Sequence, residues 1–152
     1  MTKFNLFLLT FLLSLLVILT ACDSSENKEE TDIKICPQCN MKLPESNIHT
    51  STLNNNGDLK YFDDIGCMIL FAHKNKIDLK TVKTTVFTND TKRYISGEKA
   101  FYKIDEKTPM MYGFSAYENK KENCIDFNEV QMRMLRGEHM ANPKIRKHIL
   151  GY

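Results

Sequence analysis

The sequence predicts an α+β domain, in which a β-β-α-β order is followed by a second half that echoes it. Three observations carry this. A turn signal separates two strand-like runs, a capped stretch with helical period follows them, and a β-branched run closes the first half. Further along, two more strand-like runs precede a second capped helix.

Ile48 to Leu53, with Thr50, Ser51 and Thr52, reads as a strand. Asn54-Asn55-Asn56-Gly57-Asp58 is a hairpin turn, because Asn and Gly tolerate positive φ. Leu59 to Phe62 is the return strand. Asp63 or Asp64 then caps a helix whose Ile65, Met68, Ile69 and Ala72 share one face. Leu70 and Phe71 widen its apolar surface, so the helix is covered on more than one side. Lys74 and Lys76 suit its C-terminal end. Thr81 to Thr88 is rich in β-branched residues and reads as the next strand.

In the second half, Lys99 to Ile104 and Met111 to Tyr117 read as strands, with Thr108-Pro109 breaking the chain between them. Asp126 caps a helix in which Phe127, Val130 and Met134 share a face. No strand is evident after it, and the repeat is one of elements rather than of residues. The tail after Gly137, with Pro143, reads as irregular. Its basic residues Lys144, Arg146, Lys147 and His148 read as a solvated end.

The start of the chain sets the compartment. Phe4 to Leu19 is apolar except for Asn5, Thr10 and Ser14, and it ends at Leu19-Thr20-Ala21-Cys22 before an abruptly polar stretch. Small residues before such a break mark a cleaved signal peptide. The tetrad resembles the lipobox of bacterial lipoproteins, in which the cysteine, here Cys22, is diacylated and becomes the mature N-terminus. An uncleaved anchor is the alternative, and both readings put residues 23–152 outside the cytoplasm. That is the periplasmic face in a Gram-negative cell and the cell surface in a Gram-positive one. Residues 23–32 are polar and lack aromatics, so they cannot fold alone.

The expected organisation is a signal peptide at 1–21 and a lipidated cysteine with flexible tether at 22–32. A folded domain at 33–137 follows, with units of about 33–90 and 91–137, then an irregular basic tail at 138–152. About 120 residues suffice for one compact domain. The formal charge of +2 falls to +1 once Lys3, the only charged side chain before Cys22, is removed. A near-neutral domain gives no case for nucleic acid.

Five cysteines are present. With Cys22 assigned to lipid, the informative run is Cys36-Pro37-Gln38-Cys39-Asn40-Met41, which overlays a Cys-x-x-Cys on a Cys-x-Met. A lone Cys-x-x-Cys suits zinc, disulfide exchange or copper. Structural zinc needs four ligands. Cys67 and His73 do not complete them, since six helical residues leave the side chains about 240° apart. Cys124 has no partner motif. A thiol–disulfide oxidoreductase would use Cys36 as an exposed low-pKa thiolate and Cys39 as its partner. The short segment between the tether and Pro44 leaves little room for the helix such a site needs.

Cu(I) alone gives Met41 a role, because thiolate and thioether are both soft donors. In extended chain Cys39 and Met41 would face one side. Met110 or Met111, beside Pro109 in a turn, could add a further donor. Met68 and Met134 read as core, and so does Cys67, a small thiol inside an apolar helix. A Cys36–Cys39 disulfide is the remaining reading in an oxidising compartment.

Five motifs in order resemble the NosL family of lipoprotein copper chaperones. They are the lipobox at Cys22, the Cys36-to-Met41 run, Tyr61-Phe-Asp-Asp-Ile-Gly-Cys-Met68, Glu98-Lys-Ala-Phe-Tyr102, and Thr108-Pro-Met110 leading into Gly113-Phe-Ser-Ala-Tyr117. The family serves assembly of the copper sites of nitrous oxide reductase. The resemblance implies no enzymatic activity, Cu(I) as cargo, and nitrous oxide reductase with its membrane assembly proteins as partners. It implies Cys39, Met41 and Met110 as Cu(I) ligands. Cys36 is not universal in the family, and Asn40 stands where glycine is frequent. It also implies two small β-β-α-β units like those of the organomercurial lyase MerB. That enzyme's chemistry, with Asp63 or Asp64 near Cys67, is at odds with a lipid anchor, since mercury reduction is usually cytoplasmic.

Overall fold

The computed structural model describes residues 34–151. The leader, Cys22 and the tether lie outside the described residues. The domain is α+β, with a four-stranded and a two-stranded antiparallel sheet and three helices.

Strands β1 (Ser51–Asn55) and β2 (Asp58–Phe62) form a hairpin in which Asn55 faces Asp58. Its two loop residues, Asn56 and Gly57, have φ of 52° and 93°. A two-residue turn with both φ positive matches the right-handed twist of its strands, hence Asn-Gly here. Helix α1 (Ile65–Lys74) follows at once, capped by Asp64. Its buried Ile65, Met68, Ile69 and Ala72 share a core with Leu53, Phe62 and Val86. β3 (Lys83–Phe87) pairs with β1 and turns Thr84 and Val86 inward. Up to this point the β-β-α-β order stands as read.

Three differences follow. β1 begins at Ser51 rather than Ile48, because Asn47 and His49 have φ of 56° and 68°, which no strand accommodates. β4 (Tyr94–Ser96) is an additional strand that pairs with β3, giving the sheet order β2-β1-β3-β4. The division at residues 90 and 91 therefore does not separate the two sheets. The last strand, β6 (Ser115–Tyr117), begins later than Met111, since Met111 and Gly113 both have positive φ.

A single 3-10 turn (Gly97–Lys99) leads to β5 (Phe101–Lys103), which pairs with β6. Helix α2 (Phe127–Arg136) buries Phe127, Val130 and Met134, as the spacing predicts, and its cap Asp126 accepts from the Glu129 N–H at 2.8 Å. No strand follows α2 among the described residues, so β5, β6 and α2 are not completed to a second β-β-α-β unit. The tail is not irregular. Asn142 caps a third helix, α3 (Pro143–Leu150), Pro143 sits in its first turn, and Gly151 ends it at φ 75°. Proline is tolerated there because the first-turn N–H has no helical partner to lose. Among the described residues no helix is long and apolar enough to cross a membrane.

Asp90 ties the β3–β4 loop to the end of β6. Its carboxylate accepts from the backbone N–H groups of Glu118 and Asn119 and from the Asn119 amide, each at 3.0 Å. Burial pushes this carboxyl up, but those donors outweigh it and bring it down to about 2, against 3.8 for a free carboxyl. The folded pKa lies below the unfolded one, so the contribution is present above 3.8 and lost as pH falls through about 2. Asp90→Ala is expected to cost about 1–2 kcal/mol near neutral pH. Urea unfolding of both proteins should show the gap closing between about pH 4 and about pH 2.

Candidate metal centre

The Cys36–Met41 run is a tight loop rather than an extended segment. Ile35 and Lys42 form an antiparallel bridge at its base, and the Leu43 N–H donates to the Lys34 carbonyl at 3.0 Å. The Cys36 N–H donates to the Met41 carbonyl, and the Asn40 N–H to the Cys36 carbonyl, both at 2.9 Å. Asn40 closes the loop at φ 61°, a conformation that Asn tolerates as glycine does. The Lys34 ammonium lies 3.8 Å from the Tyr61 ring centroid, which holds the loop against β2.

Against this loop stands the corner between β2 and α1. Phe62 ends the strand, Asp63 follows, Asp64 caps the helix, and Cys67 is the third residue of its first turn. Cys36, Cys39, Asp63 and Cys67 converge there, with one donor atom from each lying within 4.8 Å of all the others. A tetrahedron with metal–sulfur arms of about 2.3 Å has edges of about 3.8 Å, so little movement would close these four on one ion. Cys36, Cys67 and Asp63 are fully buried, and Cys39 is half-buried. All four cysteines among the described residues are free thiols, so the Cys36–Cys39 disulfide is not formed.

The electrostatics favour one thiolate in this group. The Cys67 thiol donating to Cys36 is the largest influence and lowers the Cys36 pKa; burial opposes it. The N–H groups of Asp63 and Cys39 add to the lowering, bringing it to about 6. Burial pushes Cys39 up to about 12, against the Met41 N–H, which favours its thiolate. The bond to Cys36 and burial push Cys67 far up. The start of α1 places partial positive charge beside Cys67. Asp63 accepts the Cys39 thiol on both oxygens, at 3.3 and 3.2 Å, and its carboxylate also faces the Cys36 sulfur. A buried carboxylate with so few donors is a poor place for an unpaired charge and a good one for a cation.

Of the residues singled out from sequence, the fold brings Cys36 and Cys39 together. Cys36 is fully buried, not the exposed thiolate a redox site needs. Met41 is 44% exposed, and what it gives Cys39 is its backbone N–H. The same-side argument for Cys39 and Met41 fails, because the chain turns at Asn40. Met110 is half-buried in a turn whose N–H bonds Asp64 at 3.3 Å. His73 is exposed, and Cys124 is half-buried outside the cluster.

Cys67 is buried in the core, as the sequence predicts, but it also joins the cluster with Asp63, and that part sequence reading missed. A signal existed. Ile65, Met68, Ile69 and Ala72 define the apolar stripe, and Cys67 falls off it, about 100° before Met68.

Asp64 holds the corner in place. It accepts from the Gly66 N–H at 2.9 Å and from the Thr108 hydroxyl at 2.5 Å. Burial raises its carboxyl to about 6, opposed by those bonds and that from the Met110 N–H. The Tyr112 ring lies on Gly66, where a Cβ would stand 2.3 Å from it, so only glycine fits beside Cys67.

The fold and site together define an α+β domain with a three-cysteine, one-aspartate cluster able to hold a metal ion. No protein-family model, no curated protein and no solved structure matches the chain.

Proposed function

We propose that this protein is a lipid-anchored, extracytoplasmic carrier of Cu(I) that delivers copper for assembly of nitrous oxide reductase. The observation that carries the reading is the convergence of three cysteine sulfurs and a buried carboxylate at one corner. Three thiols are a soft donor set, which suits Cu(I). The ordered likeness to the NosL motifs and the lipobox at Cys22 supply the compartment and the client.

The chain's own residues suit ligand exchange better than permanent storage. Three donors are fully buried and Cys39 alone is half-buried, so an acceptor reaches the ion from the Cys39 side. Exchange starts by displacing Cys39, whose proton partner Asp63 stands beside it. Cys36 and Cys67 hold the ion until the acceptor supplies a second donor. No substrate bond is broken. An oxidoreductase built on Cys36 and Cys39 is the weaker alternative, since Cys36, the sulfur with the lowered pKa, is inaccessible.

Asp63 favours one other reading, because a carboxylate is a better ligand for Zn²⁺ than for Cu(I), and Cys₃Asp can close a tetrahedron. Anaerobic titration of the reduced unit 33–152 against a chromophoric competitor separates the two. The carrier reading expects about one equivalent of Cu(I) bound below the nanomolar range, displacing any Zn²⁺. Zn²⁺ that Cu(I) cannot displace would make the site structural. No copper binding at all would remove the carrier reading.

A further inference from the structure

Helix α3 is the element least absorbed into the core, with none of its residues fully buried. Lys147, Lys144 and His148 fall within an arc of about 100° on one side of the helix, and all three are exposed. Ile145 and Ile149 lie opposite and are half-buried. Arg146 is half-buried, and Leu150, near the end of the helix, is 41% exposed. Residues 139–151 contain no acidic side chain. Among the described residues Lys144, Arg146 and Lys147 form no ion pair, whereas five other cations do.

We infer that the basic face of α3 is a docking surface for an anionic phospholipid membrane. Unpaired cations on one exposed face are complementary to an anionic lipid surface, whose attraction for each Lys or Arg acts within a Debye length. The inference rests on the lipid-anchored reading for its setting. A tether of ten residues spans at most about 35 Å, so an anchored domain stays beside the bilayer. The helix adds orientation to that anchorage. His139, just before α3, packs edge-on against Tyr112 with ring centroids 5.0 Å apart, and Tyr112 lies on Gly66 next to Cys67. A docked α3 therefore fixes the metal cluster relative to the membrane.

Residues 33–152 form a compact unit with the whole described core, so that unit is tested by itself. The probe is co-sedimentation with vesicles of three parts phosphatidylcholine to one part phosphatidylglycerol, against phosphatidylcholine alone. At least about tenfold more protein should bind the anionic vesicles at low salt, and the excess should vanish at high salt. The combined change Lys144→Gln and Lys147→Gln should abolish it. Lys74→Gln and Lys76→Gln remove the same charge elsewhere and should leave it intact, with circular dichroism confirming that both variants fold. Equal binding to the two vesicle types, or equal loss in both variants, overturns the inference. The anchor reading is tested apart from it, by whether full-length Cys22→Ser leaves the membrane fraction.

Discussion

Replacing Cys67 by Ala is expected to weaken Cu(I) binding by about a hundredfold or more, above the ten- to hundredfold typical of an outer partner. Cys67 is fully buried, and its sulfur lies within 4.8 Å of those of Cys36 and Cys39. Its loss removes a donor and also the thiol that bonds Cys36 and lowers its pKa. Met41→Ala is expected to cost less than about tenfold, because that side chain is exposed and the backbone N–H it leaves in place still serves Cys39. Cys124→Ser, outside the cluster, should change nothing. Competition titration of the three variants ranks them. A larger effect at Met41 than at Cys67 would restore the Cys39–Met41–Met110 ligand set that family resemblance implies and reduce Cys67 to packing. Alanine is preferred to serine at Cys67, since a buried hydroxyl adds a desolvation cost of its own.

That contrast marks where the sequence stops being legible. Helix α1 was readable because a stripe, a cap and a turn signal agree over Asn56 to Ala72. β4 was not, because three residues have too little pattern of their own; Tyr94–Ser96 is a strand by virtue of pairing with β3, where Tyr94 meets Phe87 edge-on at 5.2 Å. Helix α3 was lost differently. Gly137 and Pro143 make the tail read as irregular, although proline after a capping asparagine, with glycine eight residues on, spells a helix. At the site, Cys36 and Cys39 declared themselves through spacing. Cys67 and Asp63 are more than twenty residues away along the chain, and one sequence does not say which loop folds onto which corner.

The largest effect on stability is expected at Asp64. Asp64→Ala removes the cap of α1, worth about 1 kcal/mol. It also strips the Thr108 hydroxyl of its acceptor in a buried setting, worth about 1–3 kcal/mol more. Thr108 accepts the Gly113 N–H at 3.2 Å, so the turn that brings Tyr112 onto Gly66 loosens with it. The pH dependence has a definite sign. The folded carboxyl, at about 6, lies above the 3.8 of a free one, so its contribution is full below about pH 4 and declines as pH rises through about 6. The gap between wild type and Asp64→Ala in urea unfolding should therefore widen by about 1 kcal/mol from about pH 7.5 to about pH 5. A gap that narrows instead would mean that the three donors hold Asp64 ionised in spite of its burial. Metal then separates scaffold from site. Bound ion stabilises the folded state in proportion to the logarithm of its occupancy ratio. Equal increments in wild type and variant would leave Asp64 a cap alone, whereas a smaller increment in the variant would mean that this carboxylate positions Cys67 for the metal.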